Sequence, residues 1–157
     1  MTVARFWREQ KNRYNIIGTK CGNCDRIYFP PKDICRDCHR KSIGKMEPVK
    51  LKGGGKIISY TIIHEAPDSF KNQVPYAMAL IELDEGTKIT AQIVDLPMEL
   101  EDGAYKNVEA SADEKNEHMI KNDLAIGNRV RCVFRKIRED GKSGRIQYGY
   151  KFKLAKE

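Results

Sequence analysis

The sequence predicts a mainly β protein, in which a short N-terminal helix and a cysteine-rich module precede a five-stranded barrel. Four of its five cysteines form two Cys-x2-Cys pairs, and apolar residues after residue 55 alternate with polar ones in several segments. We expect the helix over residues 1–15, a rubredoxin-like zinc ribbon over 16–52 and an OB-fold domain over 53–157.

Composition narrows the class of protein. Apolar residues make up 40% and charged residues 32% of the 157 residues, which disfavours a fibrous or wholly disordered chain. No segment reaches the roughly 18 to 20 apolar residues of a membrane span, and residues 1–14 lack the apolar centre of a signal peptide. We therefore expect a soluble, cytoplasmic protein whose paired cysteines hold a metal.

Charge is distributed unevenly along the chain. Residues 1–56 hold 14 Lys/Arg against 5 Asp/Glu, residues 57–128 hold 5 against 14, and residues 129–157 hold 10 against 3. A basic N-terminal part suggests an acidic partner, which could be nucleic acid, a phosphate-bearing cofactor or an acidic protein face.

The N-terminal helix is predicted over residues 3–14, where an apolar stripe runs along one face. Two interpretations stay open: the stripe packs on the chain's own ribbon, or its exposed aromatic residues anchor a partner. The candidate partner-binding residues are Phe6 and Trp7, with the basic residues Arg5, Arg8 and Arg26.

The two cysteine pairs predict one metal site. Cys21 and Cys24 are followed after ten residues by Cys35 and Cys38, and four thiolates form a closed tetrahedral site that suits structural zinc. Iron in a rubredoxin-like site stays open. A c-type haem attachment at Cys35–His39 is disfavoured by the paired cysteines upstream.

The three glycines at 53–55 are expected to form a hinge or tight turn rather than a strand. A phosphate-binding loop is disfavoured because the spacing is wrong and no helix start follows. The acidic segment 97–124 is expected to form a short helix or a loop.

Five strands with tight turns after the second and fourth predict the OB-fold barrel. Their predicted ranges are 56–65, 76–83, 88–95, 129–137 and 145–154. The residues expected to fill the interior include Ile58, Tyr60, Ile62, Val130, Cys132 and Phe134. Cys132 is thus a core residue and not a ligand.

No catalytic residue is predicted. His39, His64 and His118 lie far apart in the sequence, and no hydrolase, metalloprotease or dinucleotide-binding motif is present. His64 with Glu65 is interpreted as a polar pair at a strand end.

Several stretches together resemble a known family. They are the four-cysteine ribbon, Gly55–Thr61, Pro75-Tyr76, Ile81–Gly86 and Ile126–Arg131. The chain resembles the zinc-ribbon/OB-fold family labelled domain of unknown function thirty-five, whose members associate with acyl-CoA enzymes. The 97–124 segment is longer than that family's usual connection.

The resemblance implies a non-catalytic partner of thiolase-like enzymes. In archaea it implies a bridge between acetoacetyl-CoA thiolase and hydroxymethylglutaryl-CoA synthase in the mevalonate pathway, with CoA bound close to this chain. The rival is a nucleic-acid-binding zinc-ribbon/OB protein, which the pI of about 9.1 favours. The acidic residues around the second and third barrel strands disfavour it.

Overall fold

The computed structural model describes residues 7–96, 124–139, 144 and 146–155. Helix α1 covers Gln10–Asn15, and 3-10 helices cover His39–Ser42 and Asp68–Gln73. The strands are β1 (Ile17–Cys21), β2 (Ile27–Tyr28), β3 (Met46–Lys50), β4 (Gly54–Ile63), β5 (Tyr76–Leu83), β6 (Lys88–Ile93), β7 (Arg129–Glu139) and β8 (Ile146–Leu154). None of the helices in these ranges is long and apolar enough to cross a membrane.

The first three strands form an antiparallel sheet in the order β2-β1-β3. Thr19 of β1 lies opposite Tyr28 of β2 on one side and Pro48 of β3 on the other. Gly18 permits this close pairing, because a Cβ atom there would lie 2.5 Å from the Tyr28 carbonyl oxygen. This small sheet carries both cysteine pairs at one end.

The remaining strands close into a barrel in the order β4-β5-β6-β8-β7. Neighbours pair antiparallel, except that β6 and β8 meet in parallel at Ile93 and Phe152. This is the strand order of an OB fold, and it confirms the predicted fold class. The structure extends the predicted β4 by two residues at its start and shortens β6 by two at its end.

Alternating residues of β5 fill the barrel interior. Ala77, Ala79, Ile81 and Leu83 are at most 2% exposed, and Phe152 of β8 is fully buried. Burial of each large apolar side chain contributes about 1.5 to 3 kcal/mol. The period-two pattern in the sequence of β5 therefore corresponds to its buried face.

Ribbon and barrel share one apolar core. Ile16, Phe29 and Leu51 of the ribbon segment belong to the same buried cluster as the barrel residues. The Phe29 ring packs edge-on against Tyr150 with 5.4 Å between ring centroids. The division of the chain into domains at residues 52 and 53 remains a prediction.

The glycine run does not form the predicted turn throughout. Gly53 has a φ of +78°, but Gly54 and Gly55 are the first residues of β4. A Cβ atom at Gly54 would lie 2.5 Å from Asp84 Oδ2, and one at Gly55 would lie 2.5 Å from the Glu82 carbonyl oxygen. The glycines allow close approach of neighbouring groups within the barrel, and the prediction that they stand outside a strand was wrong.

Two predicted interior positions were also wrong. A β-bulge between Ile57 and Ser59 places Ile57 in the core at 1% exposure and leaves Ile58 only partly buried. Phe134 is 49% exposed and packs between Tyr14 of α1 and Tyr148 of β8. The side of β7 that carries Val130 is therefore buried at Val130 and exposed to solvent at Phe134. Tyr60, Ile62 and Cys132 pack partly buried against the core, and Val130 is buried.

The N-terminal helix is described from residue 7 onward, where Trp7 and Arg8 are helical and α1 follows after one residue. α1 ends at Asn15, where Ile16 adopts the left-handed conformation with φ of 49° and its N–H donates to the Asn12 carbonyl oxygen. Residues 1–6 and 97–123 lie outside the described residues, so the predictions for the start of the helix and for most of the acidic segment are not tested there.

Candidate functional site

The four cysteines of the two pairs come together at one end of the ribbon sheet. Cys21 ends β1 and Cys24 follows in the next turn, while Cys35 and Cys38 precede the first 3-10 helix. All four Sγ atoms lie within 4.8 Å of one another, and those of Cys24 and Cys35 are 3.5 Å apart. A tetrahedral zinc site with Zn–S bonds of about 2.3 Å requires sulfurs about 3.8 Å apart.

Both cysteine turns are built in the same way. The Asp25 N–H donates to the Cys21 carbonyl oxygen at 2.9 Å, and the His39 N–H donates to the Cys35 carbonyl oxygen at 3.0 Å. Asp25 and His39 each follow the second cysteine of a pair, and both have positive φ, 57° and 45°. This repeated turn aims both thiols of each pair at a common point.

Hydrogen bonds fix the thiol of Cys35. The Tyr28 oxygen accepts from the Arg36 N–H at 3.1 Å and lies 3.3 Å from Cys35 Sγ, so its proton is available to the sulfur. Donation by Tyr28, with help from the Cys38 N–H, lowers the pKa of Cys35 to about 6. Fully buried Ser42 accepts from the Cys35 N–H at 2.9 Å.

The cluster fits a divalent metal. A hydrogen bond with the Cys24 thiol, together with burial, raises the pKa of Cys38 to about 12 when the sulfurs have only each other as neighbours. A cation at the centre would reverse this shift, because thiolates bind metal in their deprotonated form. Four sulfur ligands would fill a tetrahedral shell and leave no position for water or substrate.

Sequence reasoning missed Tyr28 and Ser42 as supports of this cluster. Tyr28 is 8% exposed and lies on β2, directly opposite Thr19 of β1. Its single signal in the sequence is a tyrosine between the two cysteine pairs, and its contact with Cys35 depends on the three-dimensional path of the loop.

Acidic residues of the barrel are paired within the chain. Asp84 accepts two hydrogen bonds from the Arg129 guanidinium, at 2.7 and 3.2 Å. Asp95 pairs with Arg135 at 2.7 Å, and Glu82 pairs with Lys56 at 3.2 Å. These three carboxylates are therefore neutralised by cations of the chain itself.

The chain matches known families over most of its length. Residues 8–44 match the family described as "ChsH2, rubredoxin-like zinc ribbon domain", and residues 48–135 match "ChsH2, C-terminal OB-fold domain". A DUF35 domain-containing scaffold protein of Methanocaldococcus jannaschii is 44% identical over 151 residues, which cover 96% of this chain and 89% of that protein. One of Methanothermobacter thermautotrophicus is 40% identical, covering 96% and 95%.

The chain belongs to the DUF35 family. Among solved structures, a chain of "Ltp2-ChsH2(DUF35) aldolase" has a TM-score of 0.59 and 21% identity, and the match covers 96% of this chain and 92% of that one. At this identity the likeness concerns the fold. The match extends over both the ribbon and the barrel of this DUF35 protein.

The candidate partner-binding residues of this DUF35 protein are spread over two elements. Trp7 is 74% exposed and Arg8 is also exposed, just before α1. Arg26 lies in the ribbon and pairs with Asp37 at 2.5 Å. Arg5 and Phe6 lie outside the described residues. The role of all five stays a prediction.

The described histidines and Cys132 are not part of the cysteine cluster. His64 is exposed just after β4, His39 is exposed at the second cysteine turn, and His118 lies outside the described residues. Cys132 lies against the core beside Gly53, and burial raises its pKa to about 11. A thiol with so high a pKa is protonated at neutral pH, as a core residue would be.

Proposed function

We propose that this protein is a non-catalytic scaffold that bridges acetoacetyl-CoA thiolase and hydroxymethylglutaryl-CoA synthase in the archaeal mevalonate pathway. One observation carries the proposal: the chain is 44% identical, over 96% of its length, to a protein named as a DUF35 scaffold protein. The assembly would lie in the cytoplasm.

In the proposed role the two partner enzymes catalyse the reactions, and this chain holds them next to each other. Thiolase forms acetoacetyl-CoA in an unfavourable equilibrium, so direct transfer to the next enzyme would draw the reaction forward. A bridge requires two contact surfaces on one stable body. The shared core of ribbon and barrel supplies such a body, and exposed Trp7 offers an aromatic anchor of the kind common at interfaces.

We further propose that the four cysteines hold one structural zinc ion. The ribbon buries few apolar residues of its own around Cys21, Tyr28 and Cys35, so metal binding would contribute much of its folding free energy. Metal analysis of protein expressed in medium that contains zinc and iron distinguishes a zinc site from an iron site. One equivalent of zinc and a colourless protein support the proposal, whereas a red protein with visible absorption bands assigns iron.

The bridging role is tested by coexpression with the thiolase and the synthase from the same source. Only one enzyme carries an affinity tag, and the mass of the eluted particle is measured by light scattering. A particle containing all three chains supports the proposal, and its loss when this chain is omitted shows that the chain is the bridge.

Three other results would contradict the proposal. An 18 kDa monomer that elutes apart from both enzymes would exclude bridging. Copurified nucleic acid that persists at physiological salt would instead favour the nucleic-acid-binding alternative. Activity of the isolated chain on acyl-CoA substrates would contradict its assignment as a non-catalytic component.

A further inference from the structure

A cleft of about 250 Å³ opens on the barrel beside β6 and β8. These two strands are paired at Ile93 and Phe152, and the cleft lies against earlier residues of both, from Thr90 to Gln92 and from Tyr148 to Lys151. Aromatic side chains form much of its wall, including Phe70 and Tyr76. The cleft is smaller than the roughly 300 to 1,000 Å³ typical of sites for drug-sized ligands.

A buried lysine lines this apolar cleft. Lys151 is 6% exposed, and among the residues that the structure describes its Nζ donates one hydrogen bond, to Gln73 Oε1 at 3.2 Å. Gln73 is itself held by donation from its Nε2 to the Ile137 carbonyl oxygen at 2.8 Å. An ammonium group has three protons to donate, and no ion pair within the described ranges of the chain includes Lys151.

The surroundings of Lys151 disfavour its charged form, and a bound anion would offset this effect. Burial lowers its pKa, and the positive charge of nearby Lys136 lowers it further. Arg13 of α1 also lines the cleft, and the Gln92 amide adds a donor that reaches Gln73 Oε1 at 3.4 Å. Buried charges in folded proteins are normally paired, so an anion in the cleft would complete an otherwise incomplete arrangement.

We propose that the cleft binds a small organic carboxylate. Its carboxylate accepts from Lys151 Nζ, and its apolar body lies against Phe70, Tyr76 and Tyr148. The aromatic wall favours an apolar body, which inorganic phosphate lacks, and Lys151 is the buried cation among the lining residues. Nothing in the bridging role requires this site.

The test is a two-dimensional NMR titration of the full chain with phenylpropionate. Its neutral amide and inorganic phosphate serve as comparison probes. We expect phenylpropionate to shift the amide signals of Tyr76, Tyr148 and Lys151, and to bind at least about tenfold more tightly than either comparison probe, because the hydrogen bond to the carboxylate is charge-assisted.

Matched variants assign the effect to the lysine. Lys151→Met keeps a long side chain but removes the charge, and we expect it to weaken phenylpropionate binding at least about tenfold. Lys153→Met makes the same change on the same strand outside the cleft lining and should bind like the unmodified protein. Gln92→Leu is the second variant, should Lys151→Met fail to give a folded spectrum.

Three binding results would each overturn the proposal. They are equal binding of the neutral amide, tighter binding of phosphate, and unchanged binding by folded Lys151→Met. If no probe binds at millimolar concentration and assembly with partner enzymes broadens the signals around Tyr148, the cleft is a protein contact and the proposal also fails. The bridging role would be untouched by the first three results.

Discussion

The hydroxyl of Tyr28 should increase the metal affinity of the cysteine cluster. Tyr28→Phe removes one oxygen atom, which lies 3.3 Å from Cys35 Sγ and accepts from the Arg36 N–H. The ring stays in place, since its buried position requires only the apolar part of the side chain. The variant therefore separates hydrogen bonding to the thiolate from packing.

The size of the effect follows from the position of the hydroxyl outside the ligand shell. Groups that hydrogen-bond a metal ligand typically contribute 10- to 100-fold to metal affinity. Cys35 retains the Cys38 N–H at 3.5 Å from its sulfur, so we expect the lower part of that range, about tenfold. The Arg36 N–H loses its acceptor and adds to the loss.

The assay is competition for zinc between the protein and a chromophoric chelator at fixed pH. Tyr60→Phe is the matched control, because Tyr60 packs partly buried against the barrel core, far along the chain from the cysteines. An affinity within twofold of the unmodified protein, in a variant with normal circular dichroism, would refute a role of the Tyr28 hydroxyl in holding the metal.

The remaining predictions concern the metal, the core and the partner surface. Removal of metal by a strong chelator should unfold the ribbon and lower the melting temperature, whereas replacement of the exposed control residue Lys88 by Gln should not. Phe152→Ala should destabilise the fold by about 3 to 5 kcal/mol, since the residue is fully buried, and Phe134→Ala, at 49% exposure, should cost clearly less in the same denaturant titration. Equal losses would contradict the assignment of the core. Trp7→Ala and Arg8→Glu should each weaken recovery of the tagged enzyme complex, the second mainly at low salt. Unchanged recovery in both would exclude this segment as an anchor.

The barrel was predictable because its signal is local. Strands such as β5 and β6 show alternation within a few residues, and the segments predicted as turns after β5 and β7 contain glycine and acidic residues in the sequence. The cysteine cluster was predictable for a similar reason, since a Cys-x2-Cys turn places both thiols on one side within four residues. Spacing alone therefore indicated that Cys21 and Cys38 meet.

The features that were missed depend on contacts between distant segments. Nothing near Gly54 and Gly55 in the sequence announces that Asp84 and Glu82 approach them, so the glycines were interpreted as a turn. The bulge at Ile57 shifts the alternation by one residue, and period-two reasoning cannot detect such a shift. The contact between Tyr28 and Cys35 was missed as well, because it depends on how the loop between them folds.

The buried cluster that joins Ile16, Phe29 and Leu51 to the barrel has a consequence for engineering this protein. Cutting the chain near residue 52 would expose these side chains on the ribbon fragment and the barrel residues of the same cluster on the other fragment, so neither piece should stay monomeric on its own. Exchange of the ribbon for that of a relative would succeed only if these three contacts were transferred with it. The angle between surfaces on the ribbon and on the barrel is thus set by the core, and changes of partner geometry would have to arise at the surface.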